Sequence, residues 1–248
     1  MVKVIPLMTS PSHAQLCWAS KKQGFLRTVE VAGSTPARPI SLKMNLKELE
    51  QVQLGLAKKV VKKDVIQKLE LVSGIETGFK FNKSFCCVVV CAYNDMQVLE
   101  THSMIEECEL AYIPNFRAQR ELDIMVKTYN KLKQKPDILL VNASGIMHPR
   151  SLGLASHLGV VLDIATIGIT KKPLCGKVQG EVIILDDEVV GKQVFTKEKA
   201  KPLFVSIGHK LSLDKSVEIV KKCIKPPHKM PEPLHIAHRI VKKNMKYV

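Results

Sequence analysis

Three apolar runs follow one another closely, at residues 71–79, 85–93 and 96–104, set apart by Asn82-Lys83-Ser84 and Asn94-Asp95. Turn-forming residues between short apolar runs predict an antiparallel meander. The middle run opens Phe85-Cys86-Cys87-Val88-Val89-Val90-Cys91 without polar alternation, so it predicts a strand covered on both faces. The pattern then alternates: a helix near 116–133, a strand at 137–142, a helix near 151–158 and a strand at 165–170. A hairpin at 180–195, a strand at 203–206 and a helix at 213–223 follow. A meander that passes into alternating helices and strands buries its apolar faces as a mixed sheet with helices on both sides. The predicted fold class is α/β.

The flanks are simpler. From the capping residue Asn45, the residues Leu46, Leu49, Val52, Leu56, Val60 and Val61 put one apolar stripe on a helix, which reads as packing and not chemistry. Residues 233–247 predict a basic terminal helix. Residues 1–43 carry scattered Ser, Pro and Gly and no sustained period, so little packed structure is expected there. Val31-Ala32-Gly33-Ser34-Thr35-Pro36 matches what a transfer-RNA gene's T-arm gives when read in one frame, so a start at Met44 is an alternative expectation. Residues 44–248 then form a single domain.

At 248 residues with 46% apolar content the chain can build one well-packed core. No apolar stretch approaches the roughly 20 residues that span a bilayer, and the first residues lack a signal-peptide pattern, so a cytoplasmic location is expected. The seven cysteines contain no Cys-x-x-Cys pair, which argues against a zinc site or a disulfide framework. A formal net charge of +15 favours polyanions, and nucleic acid is the first partner to consider.

Two motifs sharpen this. One is Tyr112-Ile113-Pro114-Asn115-Phe116-Arg117-Ala118-Gln119-Arg120-Glu121; the other runs from Leu139 through Asn142-Ala143-Ser144-Gly145-Ile146-Met147-His148-Pro149-Arg150. With the stretches 152–171 and 201–212 they resemble the endonuclease V family along most of residues 70–237. The resemblance implies a ribonuclease H-like fold and cleavage of DNA or RNA containing inosine. It also implies Mg²⁺ as cofactor, with Mn²⁺ as substitute, and a monomer.

Hydrolysis of a phosphodiester needs an activated water and neutralisation of the phosphoryl oxygens, which Mg²⁺ on oxygen ligands supplies. By motif the implied metal ligands are Glu76, Glu121 and Asn142. The implied catalytic residues are Glu121, Lys171 near the scissile phosphate and His209 near metal and water. Tyr112, Ile113 and Pro114 resemble the family's strand-separating wedge, and Gly145 and His148 fit its nucleic-acid-binding pattern. The chain departs from the family at Glu76 and Asn142, where aspartates are usual, at Ala111 for proline, and at Asn115 and Ala143 for glycine. An amide keeps an acceptor oxygen but loses the charge a hard cation prefers, so a binding homologue with weakened or lost cleavage is the alternative.

Overall fold

The computed structural model describes Arg27–Thr28, Pro39–Ile40 and residues 45–247. The chain divides into residues 1–48 and 49–248. In the first, β1 (Arg27–Thr28) and β2 (Pro39–Ile40) pair antiparallel, with Arg27 opposite Ile40. The alternative start at Met44 and the rest of the expectation for residues 1–43 fall outside the described residues.

The second unit is built on the meander. Strands β3 (Leu71–Lys80), β4 (Lys83–Ala92) and β5 (Val98–Glu107) pair antiparallel in sequence order. On the other side of β3 lie β6 (Ile138–Val141) and β7 (Ala165–Thr170), both parallel to it. The sheet continues antiparallel through β11 (Leu203–His209), β10 (Glu188–Val194), β9 (Val182–Leu185) and β8 (Lys177–Gln179). Phe85 to Cys91 are buried throughout, as their unbroken apolar run requires.

Two helices cover each face. On one face α2 (Arg117–Asn130) and α3 (Leu154–Leu162) pack Leu122, Met125 and Leu158 on Val88, Leu139 and Val141. On the other, α4 (Leu213–Lys222) and α5 (Glu232–Lys246) pack Ile219, Leu234 and Val241 on Val72, Val89 and Leu140. Side chains alternate along a strand, so Gly74, Glu76 and Gly78 of β3 share the face toward α5. A Cβ at Gly74 would sit 2.4 Å from the Leu234 nitrogen, and one at Gly78 2.5 Å from Met245 Sδ. Two bare strand positions therefore let α5 lie directly on the sheet, with the Glu76 carboxylate between them.

Two helices differ from their sequence reading. The third begins at Leu154 and not near 151, because Ser151 has φ 50, left-handed and non-helical, and Gly153 is the N-cap. The first, α1 (Leu46–Ala57), stops before Val60 and leaves Val52 and Leu54 exposed. It buries Leu49 and Gln53 instead. The Gln53 amide explains the rotation: it donates to the Asn115 carbonyl at 2.9 Å and accepts from Arg150 Nε at 2.5 Å. This helix therefore contributes a polar group to the surroundings of the site as well as packing. Among the described residues no helix is long and apolar enough to cross a membrane.

Candidate active site

The short central strand creates a notch. β6 ends at Val141, opposite Ile75, while β3 continues to Lys80 paired only with β4. Glu76 is the first β3 residue beyond that end and Asn142 the first beyond β6. The Asn142 amide Nδ2 donates to Glu76 Oε2 at 2.7 Å. Glu121 arrives from α2 on the opposite face, and the Thr77 hydroxyl donates to one of its carboxylate oxygens. Arg117, one helical turn earlier, donates through Nε to the other at 2.5 Å and through Nη1 to the Asn142 carbonyl at 3.1 Å. Asn142 and Glu76 are thus in direct contact, and Arg117 links Glu121 to the Asn142 backbone.

Both glutamates are buried, which sets the electrostatics. Burial pushes the Glu76 carboxyl up to about 7; the Asn142 hydrogen bond and the Arg117 charge pull it back, Glu121 raises it further, and Lys171 lowers it. A hard cation could be held by the carboxylates of Glu76 and Glu121 and by Asn142 Oδ1, which is not the amide atom engaged on Glu76. Among the described residues no three His, Cys, Asp or Glu side chains gather as a metal-binding group. The donor set is thus two acids and an amide, which fits a hard cation but with less charge than three acids.

Lys171 follows the end of β7 and is exposed, and its charge bears on both Glu76 and His238. His238, on α5, has Nδ1 3.8 Å from Glu76 Oε1. Burial and the nearby charges of Lys242, Lys171 and His235 lower its pKa, so the ring is neutral near pH 7. The sequence reading missed this histidine. The one signal available was the Gly-x-Glu-x-Gly alternation of β3, which marks a helix seat with an acid in it.

His209 is not part of this cluster. β11 runs antiparallel to β7 and pairs His209 with Thr166, at the start of β7, whereas Lys171 lies past its other end, roughly 16 Å of strand away. His209 Nδ1 accepts the Val61 N–H at 3.2 Å, and Nε2 lies 3.8 Å from Asp163. The side chain pins the segment after α1 to the sheet. Asp137 is likewise committed elsewhere, accepting the N–H groups of Glu70 and Leu71 at 2.8 Å each.

Beside the notch lies a pocket of about 240 Å³. Tyr112, Arg117 and Ala143 line it, as do Gln53, Thr170, Lys172 and Leu174. Tyr112, in its wall, is exposed, as are Ile113 and Pro114 after it in the chain. They are followed by Asn115 at φ 65, a left-handed conformation that glycine enters freely and asparagine tolerates better than other side chains. The Asn115 carbonyl accepts from Gln53, from His148 Nε2 at 3.1 Å and from Arg150 Nη2 at 3.2 Å. His148 is buried and accepts the Arg150 N–H on Nδ1, and burial pushes its pKa down to about 4, so it stays neutral. It anchors the exposed segment from beneath. Gly145 does not line the pocket; a Cβ there would meet the Ile207 carbonyl at 1.9 Å, so its role is close packing of the loop on β11.

A mixed sheet with helices on both faces and acids at the end of its short central strand defines a ribonuclease H-like protein. Residues 55–239 match the Endonuclease V family. Endonuclease V of Dictyoglomus thermophilum is 39% identical over 212 residues, covering 82% of this chain and 92% of its own length. Endonuclease V of Thermofilum pendens is 36% identical over 200 residues, 78% of this chain and 86% of its own. Of solved structures, endonuclease V from Bacillus subtilis superposes with a TM-score of 0.77 at 25% identity, covering 83% of this chain and 94% of that one. A variant of Ciona intestinalis endonuclease V, in complex with a 23mer DNA containing an inosine followed by a ribo-adenosine, gives 0.74 at 27% identity, covering 82% and 97%. The chain belongs to the endonuclease V family.

Proposed function

We propose that this protein is a Mg²⁺-dependent endonuclease, with Mn²⁺ as substitute ion, acting on DNA or RNA that contains inosine or deoxyinosine. It cuts one nucleotide beyond the lesion on the 3′ side and leaves a 3′-hydroxyl and a 5′-phosphate. The observation that carries this reading is the meeting of Glu76, Glu121, Asn142 and His238 at one notch, within reach of the Lys171 charge and next to a pocket with Tyr112 in its wall. The inosine-containing DNA bound by the Ciona relative supports the choice of substrate.

Held by Glu76, Glu121 and the Asn142 amide oxygen, a divalent cation would neutralise charge on the phosphoryl oxygens and acidify the attacking water. Lys171 presents a mobile ammonium to the scissile phosphate. His238, neutral and beside Glu76, accepts the proton that the water gives up, so it takes the role first assigned to His209. The exposed Tyr112-Ile113-Pro114 segment stacks on and parts the strand, and the displaced base enters the pocket beside Ala143. His148 and Gly145 act beneath this surface: His148 fixes the wedge through Asn115, and Gly145 lets the pocket floor close on β11. Every group named comes from one chain, so a monomer suffices.

The test is cleavage of deoxyinosine and inosine oligonucleotides in Mg²⁺ and in Mn²⁺ by the purified chain. Activity lost in Glu121→Ala is the expected result; no scission in either metal sinks the proposal. A second reading, an inosine-binding relative that no longer cuts, draws on the fact that Asn142 and Arg117 already occupy the two carboxylates. It predicts an inosine-dependent gel shift without scission, and turnover by the native protein rules it out.

A further inference from the structure

Arg117 is in an unfavourable place for a cation. It is the first residue of α2, where the helix dipole favours anions, and it precedes Glu121 by four residues, the weaker order for a helical ion pair. No acidic residue stands in that first turn to offset it. What holds it is the notch: Nε on Glu121 at 2.5 Å, Nη1 on the Asn142 carbonyl at 3.1 Å, and the charge of Glu76 beyond. With Thr77 on the other Glu121 oxygen, both oxygens of that carboxylate are engaged. With both acids ionised, as a divalent cation requires, the pair carries two negative charges on buried carboxylates, and Arg117 cancels one of them. Arg117 also lines the neighbouring pocket, so its guanidinium has somewhere to go when it leaves Glu121.

We infer that Arg117 is the resident counterion of the Glu76 and Glu121 pair and must release Glu121 before a divalent cation can bind there. This rests on the metal site of the proposed nuclease, but it concerns loading and not cutting. Coulomb repulsion between a guanidinium and a divalent ion sharing one buried carboxylate is large even at the effective dielectric of a protein. Metal affinity in the absence of nucleic acid is therefore set by Arg117 as much as by the acids.

The test is binding of Mn²⁺ alone, followed by loss of the free-ion electron paramagnetic resonance signal, in the full chain. Arg117→Gln is expected to bind Mn²⁺ at least about tenfold more tightly than the wild type, and Arg117→Lys, which keeps the charge, to stay within about threefold of it. A glutamine variant that binds no more tightly than the wild type overturns the inference. The wild type supplies a second measurement: the Arg117 Nε–H resonance in a ¹⁵N spectrum should shift as Mg²⁺ is added, and a resonance unmoved at any Mg²⁺ concentration also overturns it. The two proposals fail separately. Cleavage without a gain in Mn²⁺ affinity removes only the counterion role; a gain in affinity without cleavage in either protein removes only the nuclease.

Discussion

Replacing Asn142 by aspartate adds the charge that the donor set lacks, and the structure sets the size of the consequence. The carboxylate of Asn142→Asp would stand where an amide now donates to Glu76 Oε2 at 2.7 Å. Two fixed negative charges at that separation repel by about 6 kcal/mol at an effective dielectric of about 20. The protein escapes most of this, because Glu76 already titrates at about 7 and can keep a proton near neutral pH at small cost. What remains is the loss of a charge-assisted hydrogen bond, about 2 kcal/mol. At about 2–4 °C per kcal/mol for a domain of this size, the metal-free variant should melt about 4–8 °C below the wild type. Mn²⁺ at 100 times the variant's dissociation constant restores about 2.7 kcal/mol, and the order reverses because the wild type, short of one charge, binds more weakly and gains less than about 0.7 kcal/mol. Thermal melts of both proteins with and without Mn²⁺ measure all four states, and the inosine cleavage rate should rise at least about tenfold. A metal-free variant that melts at or above the wild type would refute the reasoning, as would a Mn²⁺ shift no larger than the wild type's.

Three further outcomes follow from the geometry. The Glu76 carboxyl is raised from 4.5 to about 7, so the stability it contributes is fully present below about pH 4.5 and is lost as pH climbs through 7; in urea unfolding Glu76→Gln should therefore outlast the wild type at pH 8 and lose that advantage by pH 4. Gly145→Ala forces a Cβ to 1.9 Å from the Ile207 carbonyl and should cost at least about 3 kcal/mol by chemical denaturation; a near-neutral result would mean that the loop is not seated on β11 as described. His148→Ala removes one of three donors on the Asn115 carbonyl, and a KM for inosine oligonucleotides raised about tenfold with kcat little changed is the expected signature; the reverse split would place His148 in the chemistry.

Much of the fold could be read from local pattern. The run from Phe85 to Cys91 is apolar because both faces of β4 are covered, and the turn residues at 82–84 and 94–95 announced the meander, although Lys83 and Ser84 already belong to β4 and the first turn falls at 81–82. Glu76, Glu121 and Asn142 were recognisable because each sits in a distinctive local string, and the strand register then brings them together. His238 was not, because a histidine on a basic amphipathic helix has no local mark; its meaning comes from Glu76, 238 − 76 = 162 positions away in the chain. His209 failed for the converse reason. Its string is distinctive, but the antiparallel pairing of β11 with β7 carries it to the far end of the sheet. Gln53 lies outside the apolar stripe read for α1, and nothing near it in sequence announces a carbonyl at Asn115 that needs donors.

The bare stretch of β3 at Gly74 and Gly78 bears on how variants of this protein should be interpreted. A methyl group added at Gly74 contacts no reacting atom, yet it would lift the helix that carries His238 away from Glu76. In a mutational screen scored by strand scission, such a substitution would register as an enzymatic defect at a position remote from substrate. Abundance and turnover need to be read out separately before any loss in β3 is attributed to chemistry.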